Sequence, residues 1–252
     1  DYMERRTAQY TAGGDLHPAL KTYDMKILET NVPYFYYSNV AAKCNSFFFT
    51  TSKICSKIKG KGVGAVRRRE ESCCFTGHRP GKLPWGEEEQ DPRCLRLKRI
   101  LEQAVRFAYE QRGKRHFLCG MAMGSDLYFA ETVLQLRNQL PITLEAVIPC
   151  PSQANAWPEQ QRLRYRRLVE ECDEETLIQH HYDPGCMQRR NRYMVDHSSF
   201  LIAVHDGLPG GTRQTIEYAL RRELEILDIP PLAEENTDIL RYRLSGSCLT
   251  PE

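Results

Sequence analysis

From Glu71 onward, short apolar runs and amphipathic stretches alternate along the chain, and this alternation is the strongest constraint on its fold. Ser72–Thr76 (SCCFT), His116–Cys119 (HFLC), Thr143–Ile148 (TLEAVI), Glu175–Gln179 (ETLIQ) and Phe200–His205 read as strands, with Glu225–Ile229 (EILDI) closing the set. Between them, Cys94–Gln111 places Leu97, Ile100, Leu101, Ala104 and Ala108 on one helical face. Ser125–Asn138, Pro158–Glu171, Gln188–His197 and Thr212–Arg222 supply further helices. Five or six strand–helix cycles imply an α/β fold: a doubly wound, mainly parallel, Rossmann-like sheet with helices on both faces. Ligands of such folds bind beyond the carboxyl ends of the strands, so the residues just after each strand become the candidates.

Residues 1–71 break this rhythm and read as an N-terminal extension without a clear element order, ahead of a domain over 72–231 and a tail over 232–252. The extension carries 12 Lys/Arg against 7 Asp/Glu, while the rest carries 23 against 26. The basic run Lys57–Arg69 therefore reads as a solvated linker, or as a contact for nucleic acid or lipid head groups. The mildly acidic body disfavours wholesale binding of a nucleic-acid backbone. No apolar run reaches the roughly 18–20 residues of a membrane span, so no membrane partner is expected. Ten cysteines occur without a C-x-x-C pair or zinc-like spacing, so the expectation is free thiols in the cytoplasm, no disulfide framework, no metal and no cofactor.

The strand ends are rich in glycine and charge. The first strand runs into Thr76, Gly77, His78 and Arg79; the arginine offers a fork of donors for phosphate or carboxylate. The second runs into Gly120, Met121, Ala122, Met123 and Gly124, with Asp126 inside the next helix. Unpaired amides at such a helix start suit an anion. Asp126 either caps that helix or accepts from ribose hydroxyls. Before the last helical stretch, Asp206, Gly207, Gly210, Gly211 and Thr212 form a glycine turn ahead of a fresh helix N-terminus, an arrangement that suits the phosphate of a nucleotide. Asn191 and Arg192 are further ligand candidates; Arg192 with Asp196, and Arg213 with Glu217, also read as ordinary i, i+4 ion pairs. The chain contains no G-x-G-x-x-G, P-loop, G-x-S-x-G or H-E-x-x-H motif.

Taken together and in order, CCFTGHRP, GMAMGSD, PGCMQRRNRYMVDHSSFLIAVHDG and PGGT resemble the YpsA-type branch of the SLOG superfamily, which joins the Smf/DprA proteins with the LOG phosphoribohydrolases. The resemblance covers about Ser72 to Pro231. It implies a Rossmann-like domain that binds a nucleotide or nucleotide-derived small ligand, as a sensor or regulatory module, with a homodimer as a possible assembly. The LOG branch implies an alternative, hydrolysis of the N-glycosidic bond of a nucleoside monophosphate, for which Glu217 and Asp126 are the candidate carboxylates. Pro209–Thr212 matches the start of the LOG PGGxGTxxE motif, but the second Gly-Thr is absent. The DprA branch implies a third reading, binding of single-stranded DNA.

Overall fold

The computed structural model describes residues 69–235. The aromatic stretches of the extension, the basic run up to Arg68 and the tail from residue 236 lie outside the described residues. Six strands alternate with five helices: β1 (Ser72–Gly77), α1 (Pro92–Arg112), β2 (His116–Cys119), α2 (Ser125–Leu136), β3 (Thr143–Ile148), α3 (Glu159–Glu171), β4 (Glu174–Leu177), α4 (Cys186–Asp196), β5 (Phe200–Val204), α5 (Gly211–Arg221) and β6 (Glu225–Ile229).

All five strand pairings are parallel, and the sheet order is β4-β3-β2-β1-β5-β6. The chain winds outward from β1 to β4, then returns to the other side of β1. The direction of winding therefore reverses between β1 and β5, and this switch point opens a crevice at the carboxyl ends of those two strands.

Strand residues alternate between two cores, as a period of two requires. Cys73, Phe75, Phe117, Cys119, Leu144, Ala146, Phe200 and Ile202 join α1 and α2 on one face, with Leu168 of α3 beside them. Cys74, Leu118, Val147, Leu201 and Ala203 meet Met194 and Val195 of α4 and Ile216 and Ala219 of α5 on the other. Among the described residues, seven cysteines are buried free thiols. Burial holds Cys73 and Cys119 well above the ordinary thiol range and pushes Cys74 up to about 12, so these are inert core side chains.

Element ends differ from the sequence-based expectation by a few residues, for local reasons. Helix α1 begins at Pro92 rather than Cys94, because the Asp91 carboxylate caps it by accepting from the Arg93 amide at 2.8 Å. It ends at Gly113 in the left-handed conformation, φ 65°. Helix α4 begins at Cys186 rather than Gln188, after an Asp183 side-chain turn onto the Gly185 amide. Strand β4 spans Glu174–Leu177 rather than Glu175–Gln179, and the Gln179 side chain is engaged by Asp183 and Arg189. At the amino edge of the sheet, Arg69 donates to the carbonyls of Ser198 and Arg222, each at 2.8 Å.

Candidate anion-binding site

Strand β1 and helix α2 meet end to end. The Ser125 amide donates to the His78 carbonyl at 3.1 Å. Gly124 sits at φ 87°, where a Cβ would stand 2.8 Å from that carbonyl and 2.9 Å from Pro80 Cδ, so only glycine fits without strain. Opposite it, a Cβ on Gly77 would lie 2.6 Å from Ser125 Cβ. Gly124 is the N-cap of α2 and supplies no side-chain cap; the Leu127 amide of the first turn bonds the Gly124 carbonyl at 3.0 Å. Arg79 is exposed just past β1, near enough to Asp126 and Arg190 for electrostatic interaction.

Arg190, from the second turn of α4, lies over the end of β2. Its guanidinium occupies the space a side chain would take at Gly120: a Cβ there would fall 1.4 Å from NH1. Arg190 and Asp126 are each only 5% exposed. NH1 is 3.8 Å from Asp126 Oδ2, which accepts from the Ala122 amide at 3.2 Å. Nε and NH1 of Arg190 make no hydrogen bond, and Ser125 Oγ and Gln153 Oε1, which belong to residues at the same strand ends, are also buried without partners. Gln153 Nε2 donates to the carbonyls of Gly120 and Met121 at 3.2 and 2.9 Å. Met121 holds a left-handed backbone, φ 55°, unusual for a residue with a side chain and of a kind that concentrates at functional loops. Burial raises the Asp126 carboxyl above its ordinary range, against the pull of Arg190; burial also lowers the Arg190 guanidinium.

The loop after β5 closes the other side of the crevice. His78, buried at the end of β1, places Nε2 2.8 Å from Asp206 Oδ1 and 3.2 Å from the Asp206 amide; Nε2 either accepts from that amide or, when it carries a proton, donates to the carboxylate. Asp206 Oδ1 also accepts from the Leu208 amide at 3.0 Å. Burial would raise the Asp206 carboxyl, but the Leu208 amide and His78 outweigh it, and its pKa ends below the ordinary range. The His205 ring accepts from the Gly207 amide and reaches the Leu208 carbonyl, which shapes the turn. Lys82 arches across the crevice and donates to the Pro209 carbonyl at 2.8 Å. Helix α5 starts at Gly211, with Gly210 as N-cap, again without a side-chain cap. The Thr212 hydroxyl donates to the Gly77 carbonyl at 3.2 Å, joining α5 to β1. Asn191 donates to Thr215 Oγ1 at 2.8 Å, tying α4 to the first turn of α5.

The tertiary structure thus gathers Gly77, His78, Gly124, Asp206, Gly210 and Thr212 around the switch point, with Gly120, Met121 and Asp126 beside them at the end of β2. Thr76 is buried within β1, in register with Ala203, and Gly211 opens α5. Two candidates face elsewhere. Arg192 is exposed, 5.6 Å from the centre of the Tyr218 ring; the ion pair it was expected to form is replaced, because Asp196 takes Arg222 at 2.8 Å and the Tyr218 hydroxyl at 3.0 Å. Glu217 is held by Arg213 at 2.9 Å, the i, i+4 pair expected from spacing. Asp126 does not cap α2, since its carboxylate turns back to the Ala122 amide. Sequence reasoning missed Arg190, Lys82, His205 and Gln153. Arg190 was hidden in the run Gln188-Arg189-Arg190-Asn191-Arg192, where helical spacing alone cannot single out one buried arginine.

No helix among the described residues is long and apolar enough to cross a membrane. A family model, YpsA, described as the YspA SLOG family, matches residues 73–225. The chain is 28% identical over 148 residues to the uncharacterized SPbeta prophage-derived protein YoqJ of Bacillus subtilis (strain 168), covering 54% of this chain and 86% of that one. It is 28% identical over 131 residues to the UPF0398 protein BH1768 of Halalkalibacterium halodurans, covering 50% and 69%. Among solved structures, DNA processing protein A (DprA) from Streptococcus pneumoniae aligns with TM-score 0.44 and 15% identity over 67% of this chain and 52% of that chain. DprA from Helicobacter pylori, described for its single-stranded DNA binding mode, aligns with TM-score 0.43 and 15% identity over 64% and 65%. The match thus spans about half of the first of these structures and just under two-thirds of the second. By the family model, which covers more than half of its length, the chain belongs to the YspA SLOG family.

Proposed function

We propose that this chain binds the phosphate-bearing part of a nucleotide or nucleotide-derived small molecule at the rim formed by the ends of β1, β2 and β5, as a sensor or regulatory module. One observation carries the reading: a guanidinium 5% exposed, with Nε and NH1 unpaired, beside the start of α2, which lacks a side-chain cap. A buried donor without a partner is unfavourable, and a phosphate oxygen would satisfy it. Arg79 and Lys82 would add positive charge at the mouth, the N-termini of α2 and α5 the positive ends of two helix dipoles, and the second carboxylate oxygen of Asp206 would take a ribose hydroxyl. Calorimetry with AMP, GMP, ADP, ATP and ADP-ribose tests this. At least one should bind, and Arg190→Met should weaken it by about 10–150-fold, the value of a charge-assisted hydrogen bond. No binding by any of them to the folded chain, or equal binding by the variant, overturns the reading; preferential binding of a single-stranded oligonucleotide would replace it with the DNA reading.

A hydrolytic reading rests on Asp126, a buried carboxyl at the end of β2 that burial raises above its ordinary range. It supports cleavage of the N-glycosidic bond of a nucleoside monophosphate better than Glu217, which Arg213 already holds. Release of free base that is lost in Asp126→Asn would support turnover; intact nucleotide after long incubation would reject it.

A further inference from the structure

The sheet face beneath α4 is polar near the amino ends of β2, β3 and β4, where a parallel sheet covered by helices is ordinarily apolar. His116 opens β2, Glu145 stands in β3 and Glu174 opens β4, so each comes from a different neighbouring strand. Glu145 and Glu174 are direct partners in the β3–β4 register. Two carboxylates facing each other across adjacent strands repel, and a cation between them removes the repulsion. His116 and Glu145 are each 5% exposed, whereas Glu174 is open to solvent. One ligand atom from each of the three lies within 4.8 Å of the others.

The hydrogen bonds around the ring point the same way. His116 Nδ1 lies 3.0 Å from Thr143 Oγ1, which is itself 3.5 Å from the Arg115 carbonyl. Nε2 lies 2.8 Å from Glu145 Oε2, so both ring nitrogens are held in place. A proton on Nε2 serves this carboxylate as a hydrogen bond, and a metal ion bound by both groups would take the place of that proton. From α4, the Tyr193 hydroxyl donates to the other oxygen, Oε1, at 3.4 Å, which leaves Oε2 directed at the ring.

We infer that His116, Glu145 and Glu174 form a site for a divalent first-row transition ion, with Thr143 and Tyr193 orienting the ring and the buried carboxylate. One imidazole and two carboxylates suit zinc or manganese rather than a thiolate-selecting ion. In tetrahedral geometry, bonds of about 2.0–2.2 Å set ligand atoms about 3.3–3.6 Å apart, so the 4.8 Å spread closes with side-chain shifts of about 1–1.5 Å, which the exposed Glu174 can supply. The exposed Glu174 provides the entry path and leaves an outer position for water. The ion would staple the edge strand β4 to β3 and β2. The site lies toward the amino ends of these strands, whereas Arg190 lies over the carboxyl end of β2, so it stands independently of the anion reading.

The test uses the full chain, stripped with a chelator and dialysed. Calorimetry with zinc should find one equivalent, with a rise in Tm, and Glu174→Gln should weaken binding by at least about 10-fold. Glu174 is exposed at the sheet edge, so this variant is expected to fold; His116→Gln serves as the second variant, with Tm of the stripped protein as its folding control. Cobalt in place of zinc should give visible d–d bands without a thiolate charge-transfer band. Absence of binding by the folded chain, unchanged affinity in Glu174→Gln, or a thiolate band, which would assign the metal to cysteine, each overturns the inference.

Discussion

Arg190 should be a residue whose removal, made together with its partner, leaves the empty protein at least as stable. Its NH1 lies 3.8 Å from Asp126 Oδ2. At an effective dielectric near 20, that separation gives an attraction of about 4 kcal/mol. Against it stand two unpaired donors, Nε and NH1, each costing about 1–3 kcal/mol, and the desolvation of both ions, several kcal/mol more. The pair therefore breaks even at best. Asp126→Asn removes the attraction and leaves the guanidinium buried, so a loss of about 3–5 kcal/mol is expected. Arg190→Met leaves the Asp126 carboxylate buried without its cation, so a loss of about 3–5 kcal/mol at most is expected, reduced by whatever fraction of the carboxyl takes up a proton. The double variant should lie within about 1 kcal/mol of the parent, or above it, as replaced buried pairs often do. Urea unfolding at pH 7 of the four proteins, with a common m-value, reads the coupling. A double variant whose loss equals the sum of the singles would show that the two charges do not interact, and the account of this site would fail.

Gly124→Ala should lose at least about 2 kcal/mol, from the left-handed backbone plus a Cβ 2.8 Å from the His78 carbonyl; a wild-type urea midpoint would contradict the β1–α2 junction described above. Gly120→Ala puts a Cβ where Arg190 NH1 now lies, so nucleotide affinity should fall as in Arg190→Met, and calorimetry showing full affinity would argue against that packing. Asp206 and Glu89 both have folded pKa values below their ordinary range: burial raises each, but the Leu208 amide and His78 for Asp206, and Arg164 and Lys98 for Glu89, outweigh it. The stability they confer is thus complete above the unfolded value, about pH 4, and is lost as pH falls through the lower folded value. Asp206→Asn and Glu89→Gln should each flatten the drop in urea midpoint below about pH 4; an unaltered acid limb in both would exclude these carboxylates from acid unfolding.

Much of this molecule is legible from its residues in order. The runs Ser72–Thr76, His116–Cys119, Thr143–Ile148 and Phe200–His205 announce strands because each buries most of its length, and Leu97, Ile100 and Leu101 announce a helix because they recur at its period. The glycines at the strand ends were recognisable as positions of close approach, but not what approaches: at Gly120 it is the guanidinium of Arg190, and at Gly124 it is the backbone of His78. Of three arginines in one short helical run, Arg189 pairs with Asp183, Arg192 lies over Tyr218, and only Arg190 turns inward. A charged residue in an amphipathic helix carries no mark of which neighbour it will meet.

The chain by itself determined the alternating elements, the parallel sheet and the rim on which a ligand would sit, because periodicity and turn chemistry are local properties that each segment records in its own residues. Only the tertiary structure decided that β5 returns beside β1, that Arg190 reaches Asp126 across α4 and α2, and that His116, Glu145 and Glu174 share one face. Those meetings join residues tens of positions apart. They follow from strand order and from which helix covers which strand end, and no single stretch of sequence records either.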